Sequence, residues 1–136
     1  ILFTVADKDK QEAGELARGF AELGYKLVST AGTAKYLQSL GLAVDTVQKV
    51  HEHSADIIQM IKTGKINMVV NTITHGKQQQ SDGFKIRRAT VEHAIPCLTS
   101  IDTAQEVLEV LGFMRERRLI YALALQDYVG GGDDLA

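Results

Sequence analysis

Cysteine is almost absent from this 136-residue sequence, and a single copy excludes a fold held together by disulfides within the chain. Cys97, the one cysteine, lies in an apolar stretch, so we expect a small buried thiol on a strand. A chain without a disulfide framework suits a reducing compartment. The sequence therefore predicts a cytoplasmic protein.

An excess of basic residues is also missing, as are long apolar runs. The net charge is −2, whereas a protein that binds the phosphate backbone of nucleic acids normally carries a clear positive excess. No apolar run approaches the roughly 20 residues of a membrane helix, and no charged-then-apolar signal segment opens the chain. We therefore expect neither a nucleic acid nor a membrane as a partner.

What is present is the composition of a globular protein, with 45% hydrophobic and 24% charged residues. A chain of 136 residues fits one domain and is too short for a separate second core. It has no initiator methionine and begins directly in a strand-like run, residues 1–5. We expect one domain over residues 1–136, cut from a longer chain.

Short apolar runs alternate with amphipathic helical stretches, a pattern typical of βαβ units that build a parallel sheet. The predicted strands cover residues 1–5, 25–29, 44–47, 66–70 and 96–99. The predicted helices begin at about residue 10 and at the turn over residues 30–33, and then cover residues 54–62, 84–93 and 103–114. Asp9 is expected to cap the first helix, and Gly24, Gly41 and Gly64 are expected to end the first three. Residues 119–129 fit either a helix or a strand, and residues 130–136 are predicted to be frayed.

Polar residues follow the predicted strands at their carboxyl ends, where open parallel sheets bind their ligands. In strand order they are Asp7, Lys8, Asp9 and Lys10; Thr30, Gly32 and Thr33; Lys49; Asn71, Thr72 and Thr74; and Thr99, Ser100 and Asp102. The turn at residues 30–33 opens a helix, where backbone amides and hydroxyls suit a phosphate. Each turn by itself is better explained by turn and capping chemistry. Their convergence predicts a site for a small phosphorylated ligand.

Other candidate groups carry less information. His51 and His53 alternate in a loop without further ligands at metal spacing, so no metal site is predicted. Arg87 and Arg88 lie early in a helix, where one could meet a phosphate or both could be surface charges. Residues 115–118, three arginines and a glutamate, fit the solvated end of the last helix. The loop over residues 71–82 is either functional or disordered.

No catalytic constellation stands out. The sequence has no nucleophile elbow, no full Walker loop and no Ser/His/Asp arrangement that spacing singles out. Asp7, Asp9, Asp82 and Asp102 could each act as a base only if the fold positions them. The sequence therefore predicts binding and assigns no catalytic residue.

Several segments together resemble one family, the methylglyoxal synthase-like domain. Its members include methylglyoxal synthase, the cyclohydrolase half of the bifunctional purine enzyme, and the C-terminal allosteric domain of the carbamoyl-phosphate synthetase large subunit. The matching stretches extend to about Leu111 and are VADKDK from Val5, STAGTAKYL from Ser29, VQKVHE from Val47, VVNTIT from Val69 and KIRRATVEHAIPCLTS from Lys85. KVHE, VNT and DGxxIRR most resemble the carbamoyl-phosphate synthetase domain, whereas the lyase has Gly-Thr-Thr-Gly after its second strand.

This resemblance implies a three-layer α/β/α domain with a five-stranded parallel sheet in the order 3-2-1-4-5. It also implies a regulatory domain that catalyses nothing itself and binds an effector. The effector is uridine or inosine monophosphate in bacterial members, and N-acetylglutamate or uridine triphosphate in animal members. The site residues that it implies are Lys10, Thr30, Gly32, Thr33, Lys49, Asn71, Thr72 and Thr74.

The same resemblance implies the setting in which the domain acts. The parent enzyme is an ATP-dependent ligase that makes carbamoyl phosphate from glutamine for pyrimidine and arginine biosynthesis. It uses ATP and magnesium, whereas the domain itself needs no cofactor. The implied partners are the phosphorylated effector, the synthetase domains of the same large subunit, the glutaminase small subunit and contacts within an oligomer.

Two other interpretations stay open. The chain could be a free-standing enzyme, either methylglyoxal synthase acting on dihydroxyacetone phosphate or a purine (IMP) cyclohydrolase, for which VADK and STAGTAK are also suited. It could also be a domain that has lost its ligand and serves only as an oligomer contact. The sequence therefore leaves open whether the chain is itself an enzyme.

Overall fold

Five strands and five α-helices alternate along the chain in the computed structural model, which describes residues 1–47, 55–72 and 82–132. The strands are β1 (Leu2–Thr4), β2 (Leu27–Thr30), β3 (Val44–Val47), β4 (Val69–Asn71) and β5 (Cys97–Leu98). The helices are α1 (Lys10–Glu22), α2 (Ala31–Ser39), α3 (Ala55–Lys62), α4 (Asp82–Glu92) and α5 (Ile101–Gly132), and a short 3₁₀ turn covers Asp7–Asp9.

The strands form one parallel sheet in the order β3-β2-β1-β4-β5. The first strand is therefore central, and it pairs Phe3 with Ser29 on one side and Thr4 with Asn71 on the other. The predicted fold class and strand order are confirmed. After β3 the chain crosses to the other side of β1 and adds β4 there. The carboxyl ends of β2, β1 and β4 therefore lie side by side.

Alternate residues of the central strands face two separate cores. Phe3 and Val70 point into the core that α1, α2 and α5 cover, where Leu16 and Phe20 are fully buried. The other core is covered by α3 and α4, and its members are Leu2, Ile57, Ile61, Ile66, Val69, Ile86 and Ala89. The helices thus lie on both faces of the sheet, as the alternating pattern predicts.

Helix α1 has the predicted apolar face, because Ala13, Leu16, Ala17 and Phe20 are all buried. The predicted cap at Asp9 is wrong, since its side chain makes no capping hydrogen bond. Asp9 belongs to the preceding 3₁₀ turn and has helical dihedral angles, φ −100° and ψ −1°, whereas a capping residue normally has extended backbone that brings its side chain over the free amides.

The predicted helix stops are confirmed at Gly24, Gly41 and Gly64, which take φ values of 92°, 82° and 75°. These left-handed conformations cost little without a Cβ. Ala94 takes a similar conformation after α4, with a φ of 53°, at a cost of about 1 to 2 kcal/mol for a residue with a side chain.

Four of the five predicted strands are shifted at their ends. Strand β1 is one residue shorter at each end, and β2 begins at Leu27, two residues later than predicted, with Tyr25 packed edge-on against Phe20 before it. Strand β4 begins at Val69, where pairing with both neighbours starts, although Ile66 is already buried before it. Strand β5 is limited to Cys97–Leu98 for the same reason. Burial therefore extends beyond the paired residues, and apolar runs overestimate strand length.

The start of the last helix also differs from its predicted boundary. The helix begins at Ile101, two residues earlier than predicted, because the Ser100 hydroxyl accepts a hydrogen bond from the amide of Thr103 at 3.2 Å. This is the usual geometry of a serine N-cap.

Helix α5 also continues much further than predicted. It runs without a break to Gly132, so residues 115–118 are not a helix end, residues 119–129 are helical, and residues 130–132 are not frayed. Residues 133–136 lie outside the described part of the chain.

Cys97 is half-buried and not part of the fully buried core, which corrects the expectation of a core thiol. It lies on β5, an edge strand of the sheet, and burial raises the pKa of its thiol despite a hydrogen bond with Thr90 and the charge of Arg87. A thiol with a raised pKa is a poor nucleophile near neutral pH. Among the described residues, no helix combines the length and apolar composition needed to cross a membrane.

Candidate functional site

The predicted site residues that the structure describes lie at the carboxyl ends of β1, β2 and β4. Thr30 is the last residue of β2, Asn71 is the last of β4, and β1 lies between them. Neighbouring strands are about 4.8 Å apart, so the ends of β2 and β4 are separated by roughly 10 Å across the end of β1. Two groups of polar residues therefore face the same edge of the sheet at that separation.

The first group lies at the start of α2. The predicted turn at residues 30–33 is in fact the first helical turn, because α2 begins at Ala31 directly after the strand. Thr30 occupies the capping position with extended backbone, yet its side chain makes no capping hydrogen bond. Among the residues that the structure describes, none would come within 4 Å of a Cβ placed on Gly32, so this part of the chain leaves the turn open on that side. Within the described residues, the amides of the helix start and the Thr30 hydroxyl are thus available to a ligand.

Thr33 and Lys10 are the other predicted residues of this group, one buried in the turn and one on the neighbouring helix α1. Thr33 is buried within the first turn of α2, with 4% of its surface exposed. Lys10 begins α1, and its ammonium lies 2.8 Å from a carboxylate oxygen of Asp7. Asp7 is almost fully exposed, so this ion pair contributes little to stability and the lysine can change partner at small cost.

The second group is a hydrogen-bonded network between β4 and β1. The side-chain amide of Asn71 donates to the Thr4 hydroxyl at 2.8 Å. The next residue, Thr72, donates its backbone N–H to the Thr4 carbonyl at 3.1 Å, and its hydroxyl accepts from the backbone N–H of Ala6 at 2.9 Å. Asn71 is 1% exposed and Thr72 is 8% exposed. These two predicted residues therefore also hold the carboxyl end of β1 in place.

Arg87 of α4 fixes the orientation of Asn71 from the other side. Its Nε donates to the Asn71 side-chain oxygen and its Nη2 donates to the Asn71 carbonyl, both at 3.1 Å. With the oxygen held by Arg87, the amide nitrogen must face Thr4. A planar guanidinium suits such a two-point contact, which a lysine could not make. The sequence left Arg87 open between a phosphate contact and a surface charge, and the structure shows that it is a structural partner of the site.

An open cleft of about 460 Å³ lies beside this network, over the carboxyl ends of β4 and β5. It is lined by Lys8, Asp9, Glu12, Thr72, Arg87, Thr99, Ser100, Ile101 and Asp102. Among the described residues that the family resemblance implies, Thr72 lines this cleft, whereas Thr30, Gly32 and Thr33 do not. The polar residues that follow the first and fifth predicted strands also line it, namely Lys8, Asp9, Thr99, Ser100 and Asp102. Two cationic and three acidic side chains give the cleft a mixed charge, unlike the start of α2.

Several predictions fall outside the described part of the chain. Lys49, Thr74, His51 and His53 lie in residues 48–54 and 73–81, as does most of the loop that was predicted to be functional or disordered. Within residues 1–47, 55–72 and 82–132, no three His, Cys, Asp or Glu side chains lie close enough together to hold a metal ion.

The fold and these segments match a known family. The family model described as the MGS-like domain, named after methylglyoxal synthase, matches residues 12–99, well over half of the chain. The chain belongs to the MGS-like domain family. The match runs from the third residue of α1 through β5, so it includes the start of α2 together with Asn71, Thr72 and Arg87, whereas Thr4 lies before it.

Two solved structures share the fold. The crystal structure of methylglyoxal synthase from Elizabethkingia anophelis NUHP1 superposes with a TM-score of 0.65 at 21% identity, over 79% of this chain and 74% of that one. The crystal structure of ForH superposes with a TM-score of 0.59 at 23% identity, over 97% of this chain and 91% of that one. At these identities the likeness establishes the architecture of the MGS-like domain and leaves its ligand to be argued from the site.

Thr4 is the residue of this MGS-like domain that sequence reasoning missed. It lies in a strand-like run, for which the sequence predicts only a place in the strand. The signal was present, because Thr4 is the polar residue at the end of an otherwise apolar, buried strand. Its two contacts with residues 71 and 72 depend on the β1–β4 pairing, which the sequence does not display.

Replacing Arg87 with alanine is expected to lower the free energy of unfolding of this MGS-like domain by about 2 kcal/mol, because two acceptors of the buried Asn71 lose their partner. Urea denaturation measures this change. Arg88→Ala is the matched control, since Arg88 is exposed and pairs with Glu92 in an i,i+4 arrangement, and its effect should stay within about 0.5 kcal/mol. Equal stability of the two variants would contradict the positioning role of Arg87.

Proposed function

We propose that this MGS-like domain is the allosteric effector-binding domain of a carbamoyl-phosphate synthase large subunit, and that it binds a nucleotide monophosphate such as UMP or IMP. The observation that carries the proposal is the pair of polar groups at the carboxyl edge of the sheet. One of them is the open start of α2 with an uncommitted Thr30 hydroxyl, and the other is the Asn71 network.

The chemistry of the two groups supports a ligand with a phosphate at one end. The free amides at the start of α2 favour an anion, and Lys10 adds a positive charge on the neighbouring helix. Thr72 supplies a hydroxyl suited to those of a ribose, and the almost fully buried Asn71 holds the end of the strand in place beside it through Thr4 and Arg87. The separation of roughly 10 Å between the two groups, two strand spacings, fits a nucleotide that lies across the end of β1.

Lys49 and Thr74 belong to the same proposed site by the family resemblance. Effector binding would change the activity of the synthetase domains of the parent chain by favouring one of their states. In this proposal the parent, a ligase, uses glutamine with ATP and magnesium, serves pyrimidine and arginine biosynthesis, and works with a glutaminase subunit in the cytoplasm. The domain itself then contributes binding energy and no chemistry.

Calorimetric titration of the chain with UMP, IMP, uridine, inosine and dihydroxyacetone phosphate tests the proposal. One monophosphate is expected to bind saturably. Its matching nucleoside should bind at least about tenfold more weakly, because charged hydrogen bonds to the phosphate contribute about 1.5 kcal/mol or more. Binding of neither monophosphate would contradict the proposal.

A methylglyoxal synthase-type lyase that acts on dihydroxyacetone phosphate is the second candidate, and the cleft beside Asn71 is the observation that favours it. Asp9, Glu12 and Asp102 bring three carboxylates near Arg87 and Lys8, the kinds of groups that proton abstraction next to a phosphorylated carbonyl needs. A methylglyoxal-release assay on the chain decides between the two candidates. Turnover that is abolished by Asp102→Asn would replace the regulatory proposal, whereas no turnover would remove the lyase.

The purine IMP cyclohydrolase is a further alternative that the family resemblance allows. It would share the phosphate-binding residues at the start of α2 with the regulatory domain, so binding of IMP does not distinguish the two functions. A spectroscopic assay for cyclisation of the formylated purine precursor does, because a regulatory domain would bind IMP without forming it.

A further inference from the structure

The distal part of α5 leaves the domain and has no cover within the described residues. The helix packs on the domain through Ala104, Leu108 and Leu111, and the Arg115 guanidinium donates to the carbonyl of Glu22 at 3.1 Å. From there the helix continues to Gly132. Every residue over 113–126 is exposed, a stretch of about 21 Å at 1.5 Å per residue.

Within this exposed stretch, residues 119–125 are apolar on all sides of the helix. They read LIYALAL, and the Tyr121 hydroxyl is their one polar side-chain group. Leu119, Ile120, Tyr121, Leu123 and Leu125 are each between 47% and 67% exposed. A helix that is apolar all round is normally found inside a core, and a helix of this length without packing is only marginally stable in water. The distal half of α5 therefore needs a partner surface.

We propose that the partner is a second copy of this chain, with the two α5 helices packed against each other in antiparallel orientation around a two-fold axis near residues 119–125. In an isologous pair the apolar segment of each copy packs against the same segment of the other copy. One surface therefore forms both halves of the interface. The two domains then lie at opposite ends of the helix pair, where they do not collide.

The exposed apolar area of α5 is larger than the largest patch of a typical monomer. Eight large apolar side chains are exposed among those of α5 that the structure describes, namely Val110, Phe113, Met114, Leu119, Ile120, Tyr121, Leu123 and Leu125. Side chains of this size exposed by half present on the order of 100 Å² each, or about 800 Å² together, against about 300 to 600 Å² for a typical monomer. One partner helix covers one side of the segment and therefore about half of this area, or about 800 Å² over both copies, which is the size of a weak interface.

The charges along α5 favour the antiparallel orientation. Arg115, Arg117 and Arg118 precede the apolar segment. A parallel pair would bring the arginines of both copies together, whereas an antiparallel pair centred on the segment holds the two sets roughly 12 to 21 Å apart along the helix axis. The helix dipoles are also opposed in the antiparallel pair, which lowers the electrostatic energy.

Sedimentation equilibrium of the full chain tests the proposal. The chain is expected at twice its monomer mass in the micromolar range, and Ile120→Glu with Leu123→Glu should weaken the dimer by about a hundredfold or more, because charges would enter the apolar contact. Val91→Glu is the matched control, since Val91 is 81% exposed on α4 and outside the proposed contact, and it should leave the dimer unchanged. A monomeric wild type, or a double variant that dimerises like the wild type, would overturn the proposal.

The orientation is tested by disulfide trapping in a Cys97→Ala background, which removes the one native thiol. Single cysteines placed in turn at residues 120–123 sample the faces of the helix near the proposed axis, and at least one should link two chains under mild oxidation. Val110→Cys should not, because two copies of residue 110 would be roughly 35 Å apart in the antiparallel pair. Equally ready linkage through residue 110 would exclude this orientation.

Discussion

Replacing Thr30 with valine is expected to lower the affinity for the nucleotide monophosphate by about 10- to 100-fold, because a hydrogen bond to a charged phosphate contributes about 1.5 to 3 kcal/mol. Stability should change by less than about 0.5 kcal/mol, since Thr30 holds the capping position of α2 without making a capping hydrogen bond and valine keeps its shape. Calorimetric titration and urea denaturation of the same variant measure both quantities.

This variant separates two interpretations that the sequence could not. Threonine at a strand-to-helix turn is usually a cap, and loss of a cap costs about 1 kcal/mol of stability without regard to any ligand. Thr63→Val is the matched control, because the Thr63 hydroxyl donates to the Gln59 carbonyl on the exposed end of α3, far from the sheet edge. If Thr30→Val keeps the affinity of the wild type, whether or not its stability falls, Thr30 is not part of the binding site.

Replacing Phe20 with alanine is expected to lower the free energy of unfolding by about 3 to 5 kcal/mol. The ring is fully buried between the sheet and α5, and it packs edge-on against Phe3 at 6.2 Å and Tyr25 at 6.0 Å between ring centres. Removal of the ring leaves a cavity and ends both aromatic contacts. Since a domain of this size has roughly 5 to 15 kcal/mol of stability, the variant should be close to unfolding at 37 °C.

Chemical denaturation followed by circular dichroism measures this loss. Val91→Ala on α4 is the control for an apolar truncation on a helix surface, because Val91 is 81% exposed, and it should be neutral or slightly stabilising. A loss for Phe20→Ala as small as that of the control would mean that the core under α1 repacks and is not close-packed around this ring.

The fold could be predicted from particular features of the sequence. Helix α1 was recognisable because Ala13, Leu16, Ala17 and Phe20 repeat at helical spacing, and Gly24 marked its end through the left-handed conformation that only glycine adopts freely. Strand ends were less accurate, because pairing with a neighbour defines a strand and the sequence shows only burial. Ile66, buried but unpaired before β4, is the clearest example.

The site could be predicted as a set of positions but not as a network. The rule that ligands bind at the carboxyl ends of parallel strands selected Thr30, Asn71 and Thr72. The partners of Asn71 are Thr4 and Arg87, which lie 67 and 16 residues away in the chain and meet it only through strand pairing and the packing of α4. Long-range contacts of this kind leave no local pattern, so sequence spacing could not identify them.

The sequence by itself determined the class of this protein, since the alternation of apolar runs and amphipathic helices permits few arrangements other than a parallel sheet with helices on both faces. It also determined where polar residues collect. The tertiary structure decided how those residues are used: Thr30 does not cap its helix, Asn71 is held by an arginine, and α5 carries its apolar segment out of the domain. These outcomes depend on which elements become neighbours, and that depends on packing energies summed over the whole chain and not on any local segment.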